Sequence, residues 1–413
     1  MHINKTSDMT PFNMDEKPRR QNMLLLPVIW AAAFIMTGGR LKVNNAGIKG
    51  LKPPYLVLSE HQGFTDYYIS PLALFPHRAT YVSDVEGFAA FGKWLYRAIG
   101  CIATRRFVGD ISLINNIRNV ALNNKDIIVI YPEARHSNVG ASSAIPESTA
   151  KLVKLLGIPV VIQKFHGSYL NCPFWDEEHI RNAPLAVTLK KILSPEELEK
   201  LSAAEIHTVL GEALSYDEYA RQFKNKIRIS YKNRAKGLHR VLYRCPSCGT
   251  EYKMTSFENV VECIACGKQW MMDEYGRLSA AGGNTEFPHI PDWYEFQRGE
   301  VRRQIESGEY NLTAGVRIDA LPNEKGFVPL GDGILHQDFS GFELTFGNSG
   351  RSLHFSSKVM HSVHTEYSYK GQGDCVVLST RDCCYYVYPK HPDFNITKVQ
   401  FAAEEFHRIA KKC

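Results

Sequence analysis

Over the first half of the chain, short unbroken apolar runs alternate with amphipathic stretches. Tyr55–Ser59 (YLVLS), Asp126–Tyr131 (DIIVIY) and Ile158–Phe165 (IPVVIQKF) read as strands buried on both faces. Between them, Ile111–Asn123 and Pro146–Leu156 carry the spacing of helices. This β/α alternation, from about Lys42 to Pro184, predicts an α/β domain with a largely parallel sheet. Leu185–Ile192 reads as a further strand that closes the sheet. Ser194-Pro195-Glu196-Glu197 has the form of a capping box with proline at the first helical position, and Ser202 to Glu205 repeats the device before Ile206–Leu214. Residues 216–242 read as helical and basic, a solvated face first and a lipid-head-group patch second.

The second half has a different texture. Alternating runs at Phe342–Phe346, Leu353–Phe355, Val376–Leu378 and Tyr385–Tyr388 are punctuated by Gly331-Asp332-Gly333, Asn348-Ser349-Gly350 and Gly371-Gln372-Gly373. A final helix over Val399–Lys411 places Val399, Ala402, Phe406 and Ile409 on one face. This predicts a smaller β-rich domain over 285–413 that ends in a helix. No internal repeat at a solenoid period is present. At the other end, residues 1–22 are polar and read as a disordered leader. Residues 23–36 (MLLLPVIWAAAFIM) are uncharged, too few to span a bilayer, and interrupted by Pro27. They read as a shallow membrane-docking segment, with a buried helix and a signal peptide as the alternatives.

Composition changes this picture little. The apolar fraction of 44% and charged fraction of 22% suit a chain that buries real cores, and 413 residues suit two or three domains. A formal charge of +6 suits an anionic partner such as a phospholipid surface and is too diffuse to argue for nucleic acid. Ten cysteines, four of them in two Cys-x-x-Cys pairs, fit metal binding in a reducing compartment better than a disulfide framework. The expected location is the cytoplasmic face of a membrane.

The candidate chemistry begins where YLVLS runs into Glu60-His61-Gln62-Gly63-Phe64-Thr65-Asp66. A turn at Gly63, with Thr65 capping the helix after it, brings the carboxylate to one ring nitrogen of His61 and leaves the other to take a hydroxyl proton. Gly100-Cys101-Ile102-Ala103-Thr104-Arg105-Arg106 sets two guanidinium groups beyond a glycine, suited to phosphate. Tyr131-Pro132-Glu133-Ala134-Arg135-His136-Ser137 leaves the second strand at the same sheet edge as His61, and Gly157-Ile158-Pro159 opens the third. In these four ordered blocks, residues 23–215 resemble the glycerolipid acyltransferases, whose motifs are His-x4-Asp, Gly-x-Ile-x-x-x-Arg, Phe-Pro-Glu-Gly-Thr-Arg-Ser and an apolar proline-containing block. The resemblance implies His61 as general base, Asp66 as its holder, Arg106 on the acceptor's phosphate with Arg105 beside it, and Glu133 and Arg135 around the acceptor. Pro159 would shape the acyl-donor side. It implies acyl-CoA or acyl carrier protein as donor, a lysophospholipid as acceptor, and no metal in the chemistry. The chain departs from the pattern with Ala134, Arg135 and His136 where Gly, Thr and Arg are common, and with Arg105 where an acid is frequent, which leaves the acceptor's identity open.

Cys245-Pro246-Ser247-Cys248-Gly249 and Cys263-Ile264-Ala265-Cys266-Gly267 resemble the two knuckles of a zinc ribbon, placed here at 243–275 with a structural zinc. The β-rich part resembles pleckstrin-homology-like or GRAM domains by its strands and final helix. Two other classes of function compete with acyl transfer: a catalytically inactive membrane-associated scaffold or lipid-binding protein, and a zinc hydrolase using His354, His361 and His364.

Overall fold

A computed structural model describes residues 4–176, 179–347 and 349–411. Asn348 of one expected turn and Cys413 lie outside the described residues. The chain divides into two compact units, one made of Asn13–Thr104 and Asp110–Glu218, the other of the chain up to Phe12, Arg105–Gly109 and everything from Tyr219 on.

The first is an α/β unit. In chain order it runs α1 (Leu26–Met36), β1 (Lys42–Gly47), β2 (Leu56–Ser59), α2 (Asp66–Ala73), β3 (Ala79–Asp84), α3 (Val85–Phe91), α4 (Lys93–Ala98) and β4 (Cys101–Thr104). It continues through α5 (Ile111–Asn119, extended by a π turn over Val120–Asn124), β5 (Ile127–Ile130), α6 (Glu147–Leu156), β6 (Val160–His166), α7 (Ser168–Asn171), β7 (Ala186–Leu193), α8 (Pro195–Lys200) and α9 (Ala203–Leu214). The seven-stranded sheet has the order β1-β7-β6-β2-β5-β3-β4. All neighbours are parallel except β6 with β7, so the expected closing strand makes the sheet mixed. The two-residue period of β2 explains the layers. Leu56 and Leu58 face a core with Ile117, Val153, Ile206 and Leu210 from the helices on one side. Tyr55 and Val57 face Ile69 and Ala73 of α2 on the other. Capping boxes at Ser194 and Ser202 start α8 and α9 as their sequences predict.

The β-rich unit begins with α10 (Glu218–Lys224), then β8 (Met254–Phe257), β9 (Val260–Cys263), β10 (Gln269–Met272) and β11 (Leu278–Ala280). These form a four-stranded sheet in the order β11-β10-β9-β8. After α11 (Ile290–Glu306) come β12 (Leu312–Asn323), β13 (Gly326–Asp338), β14 (Gly341–Phe346), β15 (Ser352–Ser356), β16 (His364–Glu366), β17 (Cys375–Ser379), β18 (Cys384–Pro389) and α12 (Ile396–Ala410). Their seven-stranded sheet, ordered β15-β14-β13-β12-β18-β17-β16, is antiparallel throughout.

Two expectations are corrected. Residues 216–242 are not a continuous helix: α10 ends at Lys224, Lys226 just beyond it takes a φ of +52°, and only a single 3-10 turn, Leu238–Arg240, follows. The described residues of the leader, from Asn4 on, form no helix or strand but make specific contacts. Thr6 donates its amide to Phe327 O at 2.8 Å, and Phe12 and Met14 are buried.

Candidate active site

β2 and β5 are parallel neighbours, so the segments after Ser59 and Ile130 leave the same edge of the sheet. His61 and Glu133 therefore share that rim, and Ser137 N donates to His61 O at 2.8 Å, tying the two segments together. Between His61 and α2 the chain turns tightly, with Asp66 N donating to Gly63 O at 3.1 Å. Glycine suits that turn by proximity, because a Cβ there would lie 3.0 Å from Cys172 O, a tight approach. Thr65 does not cap α2. Its hydroxyl turns instead to Ser168.

The turn delivers the pair that the spacing predicts. His61 Nδ1 lies 2.9 Å from Asp66 Oδ2, and the same oxygen accepts the amides of Gln62 at 2.7 Å and Gly63 at 3.1 Å. A carboxylate acceptor at Nδ1 places the ring proton there and leaves Nε2 as a base. His61 stacks on Tyr131 at 4.4 Å and meets His136 edge-on at 4.1 Å, so the ring is walled on two sides. Nε2 points to the hydroxyl of Tyr67 at 3.2 Å. Tyr67 is 41% exposed, so the line from Asp66 through His61 ends near solvent. Sequence reading did not single out Tyr67, although its place directly after Asp66, one turn's reach from the ring, was the available signal.

Burial dominates the electrostatics. It pushes the Asp66 carboxyl up to about 7 against the hydrogen bonds of Ser168, Gly63 and Gln62. Burial also pushes Glu133 up to about 7, opposed by the charge of Arg135, and holds Glu60 well above the carboxylate range. Glu60 Oε1 accepts Phe165 N at 2.6 Å, and Glu133 Oε2 accepts Ser143 N at 3.2 Å. Because these folded-state values lie above the unfolded ones, the native chain binds more protons than the unfolded chain as pH rises through the carboxylate range toward 7. Stability should fall over that window, by about 1.4 kcal/mol per pH unit for each excess proton. Thermal melts at pH values spaced through the window should show a declining midpoint, and Glu60→Gln should make the decline shallower. A flat profile would contradict the buried protons.

The remaining residues sort as follows. Arg135 is buried, and Ala134 before it takes a φ of +54°, the conformation for which glycine is better suited. Pro159 is half-buried, and its carbonyl accepts Leu56 N at 2.9 Å, registering β6 against β2. Arg105 and Arg106 belong to the β-rich unit. Arg105 donates Nε to Arg381 O at 3.0 Å, Nη1 to Leu321 O at 3.1 Å and Cys384 Sγ at 3.1 Å, and Nη2 to Pro322 O at 2.7 Å and Asp382 O at 2.9 Å. Its five donors are thus occupied by protein acceptors, which corrects the expectation that it offers a fork to phosphate. Arg106 Nη1 lies 3.6 Å from Glu366 Oε1.

In the β-rich unit the four knuckle cysteines converge. Their sulfurs lie within 4.8 Å of one another, with Cys245 to Cys266 at 3.8 Å and Cys248 to Cys263 at 3.7 Å. A tetrahedral zinc with bonds of about 2.3 Å has sulfur–sulfur edges of about 3.8 Å, so the donor set fits that ion. The amides of Ser247 and Cys248 bond the Cys245 sulfur, and those of Ala265 and Cys266 bond the Cys263 sulfur, as thiolate ligands require.

Residues 40–162 match the family model described as Acyltransferase. No curated protein matches the chain. Among solved structures, the chain is similar to the crystal structure of the 1-acyl-sn-glycerophosphate (LPA) acyltransferase, PlsC, from Thermotoga maritima. That likeness has 15% identity and a TM-score of 0.35, over 46% of this chain and 78% of that one. The family match supports an acyltransferase domain in the α/β unit.

Proposed function

We propose that the α/β unit moves a fatty acyl group from a thioester, acyl-CoA or acyl carrier protein, to a hydroxyl of a lysophospholipid such as 1-acylglycerol-3-phosphate. The observation that carries this reading is the line from Asp66 to His61 Nδ1 and from Nε2 to a hydroxyl at 3.2 Å, inside the segment that matches the acyltransferase model. The Tyr67 hydroxyl marks where an acceptor hydroxyl would sit. His61 Nε2 takes the proton of that acceptor hydroxyl, whose oxygen attacks the thioester carbonyl. The carbon–sulfur bond breaks, and the proton passes from His61 to the leaving thiolate. Arg135, buried and with its charge felt at Glu133, is kept in this reading as a group around the acceptor.

The acceptor reaches the site at a membrane surface in this reading. α1 leaves Val28, Phe34, Ile35 and Met36 exposed, and Met23 and Leu24 just before it are exposed as well. Among the described residues, no helix is long and apolar enough to cross a membrane. Shallow docking of this apolar segment fits the exposed side chains, and the cytoplasmic face is the side this reading assigns to it. The test is a lipid product profile of the purified chain with acyl-CoA and a panel of lysolipid acceptors. Thioester consumption with lysophosphatidic acid in the panel is the expected result. Vesicle binding without consumption of any thioester would replace this reading with the scaffold.

A further inference from the structure

Four hydrogen bonds reach the Asp66 carboxylate, and they divide unevenly. Oδ2 receives His61 Nδ1 and the amides of Gln62 and Gly63, whereas Oδ1 receives the hydroxyl of Ser168. Asp66 and Ser168 are both fully buried, so water does not substitute for that hydroxyl. The Ser168 proton is committed to Asp66, and the Thr65 hydroxyl completes the chain by donating to Ser168 Oγ. Ser168 is delivered by a constrained backbone. Gly167 has a φ of +82°, and a Cβ there would lie 2.2 Å from Pro184 O, so the approach depends on glycine. The same segment fastens the turn at a second point, where Tyr169 N donates to Gln62 Oε1 at 3.2 Å.

We propose that Ser168 is a positioning residue of the acyl-transfer site, whose hydroxyl keeps the Asp66 carboxylate in the form and orientation that hold His61. The proposal rests on the acyl-transfer reading above and adds a group outside all four sequence blocks. Its chemistry is specific. A buried carboxylate oxygen stripped of its donor favours the protonated acid, which accepts poorly from Nδ1–H and frees the ring to turn. Burial already pushes the carboxyl toward the protonated acid, and the Ser168 hydrogen bond is the largest influence opposing that push.

The experiment compares the full chain with Ser168→Ala and Thr65→Val, following kcat/KM against pH with acyl-CoA and lysophosphatidic acid, and the His61 ring by nitrogen-15 NMR. Ser168→Ala should lower kcat/KM at neutral pH about tenfold, mostly in kcat, and displace the acid limb to higher pH, so that activity recovers on the alkaline side. Thr65→Val should move the limb the same way by less. The Nδ1 proton signal of His61 should weaken in both variants. A uniform loss at every pH, or an unmoved profile with an unchanged ring signal, overturns the proposal. A ring signal that responds to Ser168 in a chain without thioester turnover keeps the positioning role and removes the acyl-transfer reading. Should Ser168→Ala fail to fold, Thr65→Val decides alone, since its hydroxyl touches Ser168 and not the carboxylate.

Discussion

Replacing His61 by alanine should lower thioester turnover by about 10²–10⁴-fold, the range spanned by the loss of a positioned general base. The size follows from what the ring does and what remains without it. Nε2 is the nitrogen that faces a hydroxyl, at 3.2 Å, and the carboxylate behind Nδ1 exists in this geometry to favour an imidazolium as the proton arrives. Asp66 does not substitute, because its oxygens face the turn amides and Ser168 and are fully buried. The fold should survive, since β2 is held by Leu56–Ser59 packing between β5 and β6 and not by the ring. Circular dichroism and a melting midpoint close to that of the parent chain would establish that. Turnover of the variant at the parental rate would remove the general-base role and with it the mechanism.

How far the sequence foretells this site depends on the range of the contacts involved. The His61–Asp66 pair was legible because both residues lie within one turn, and the turn's glycine is visible beside them. The sheet was legible where strands are unbroken apolar runs, as at β2, β5 and β6. It was not at β3, whose Thr80, Tyr81 and Ser83 mix polar groups into a strand, nor at the four-residue β4. α11 went unread although Ile290, Trp293, Tyr294, Gln297 and Val301 are buried at helical spacing, because Arg and Glu crowd the same window. Ser168 stands about a hundred residues from Asp66, and no local pattern marks a serine that touches a distant carboxylate. Arg105 shows the opposite failure. Its neighbourhood in sequence suits phosphate, but carbonyls near Leu321 and Asp382 take its donors, and such acceptors have no signature in the residues around Arg105.

Removing the metal is expected to have the largest effect on structure. The purified chain should carry one zinc, and Cys263→Ser should lose it together with the order of β8 to β11. The geometry supports this on two counts. Sulfurs 3.7 and 3.8 Å apart have the edges of a tetrahedron closed on one ion, and a shell of four thiolates has no open position for chemistry. The surrounding sheet is small: β8, β9 and β10 have four residues each and β11 has three, the scale at which a structural metal commonly completes a core. In zinc-binding peptides of this kind the ion contributes roughly 10–16 kcal/mol, which here would act as folding free energy for the segment. Hydrogen exchange before and after a strong chelator should therefore show fast exchange across 245–280, while the amides of β2, β5 and β6 keep their protection. Thioester turnover should outlast the chelator at the α/β unit, because no step at His61 needs an ion. If exchange in 245–280 is unchanged in metal-free protein, the fold alone holds the sulfurs together and the structural zinc is discarded.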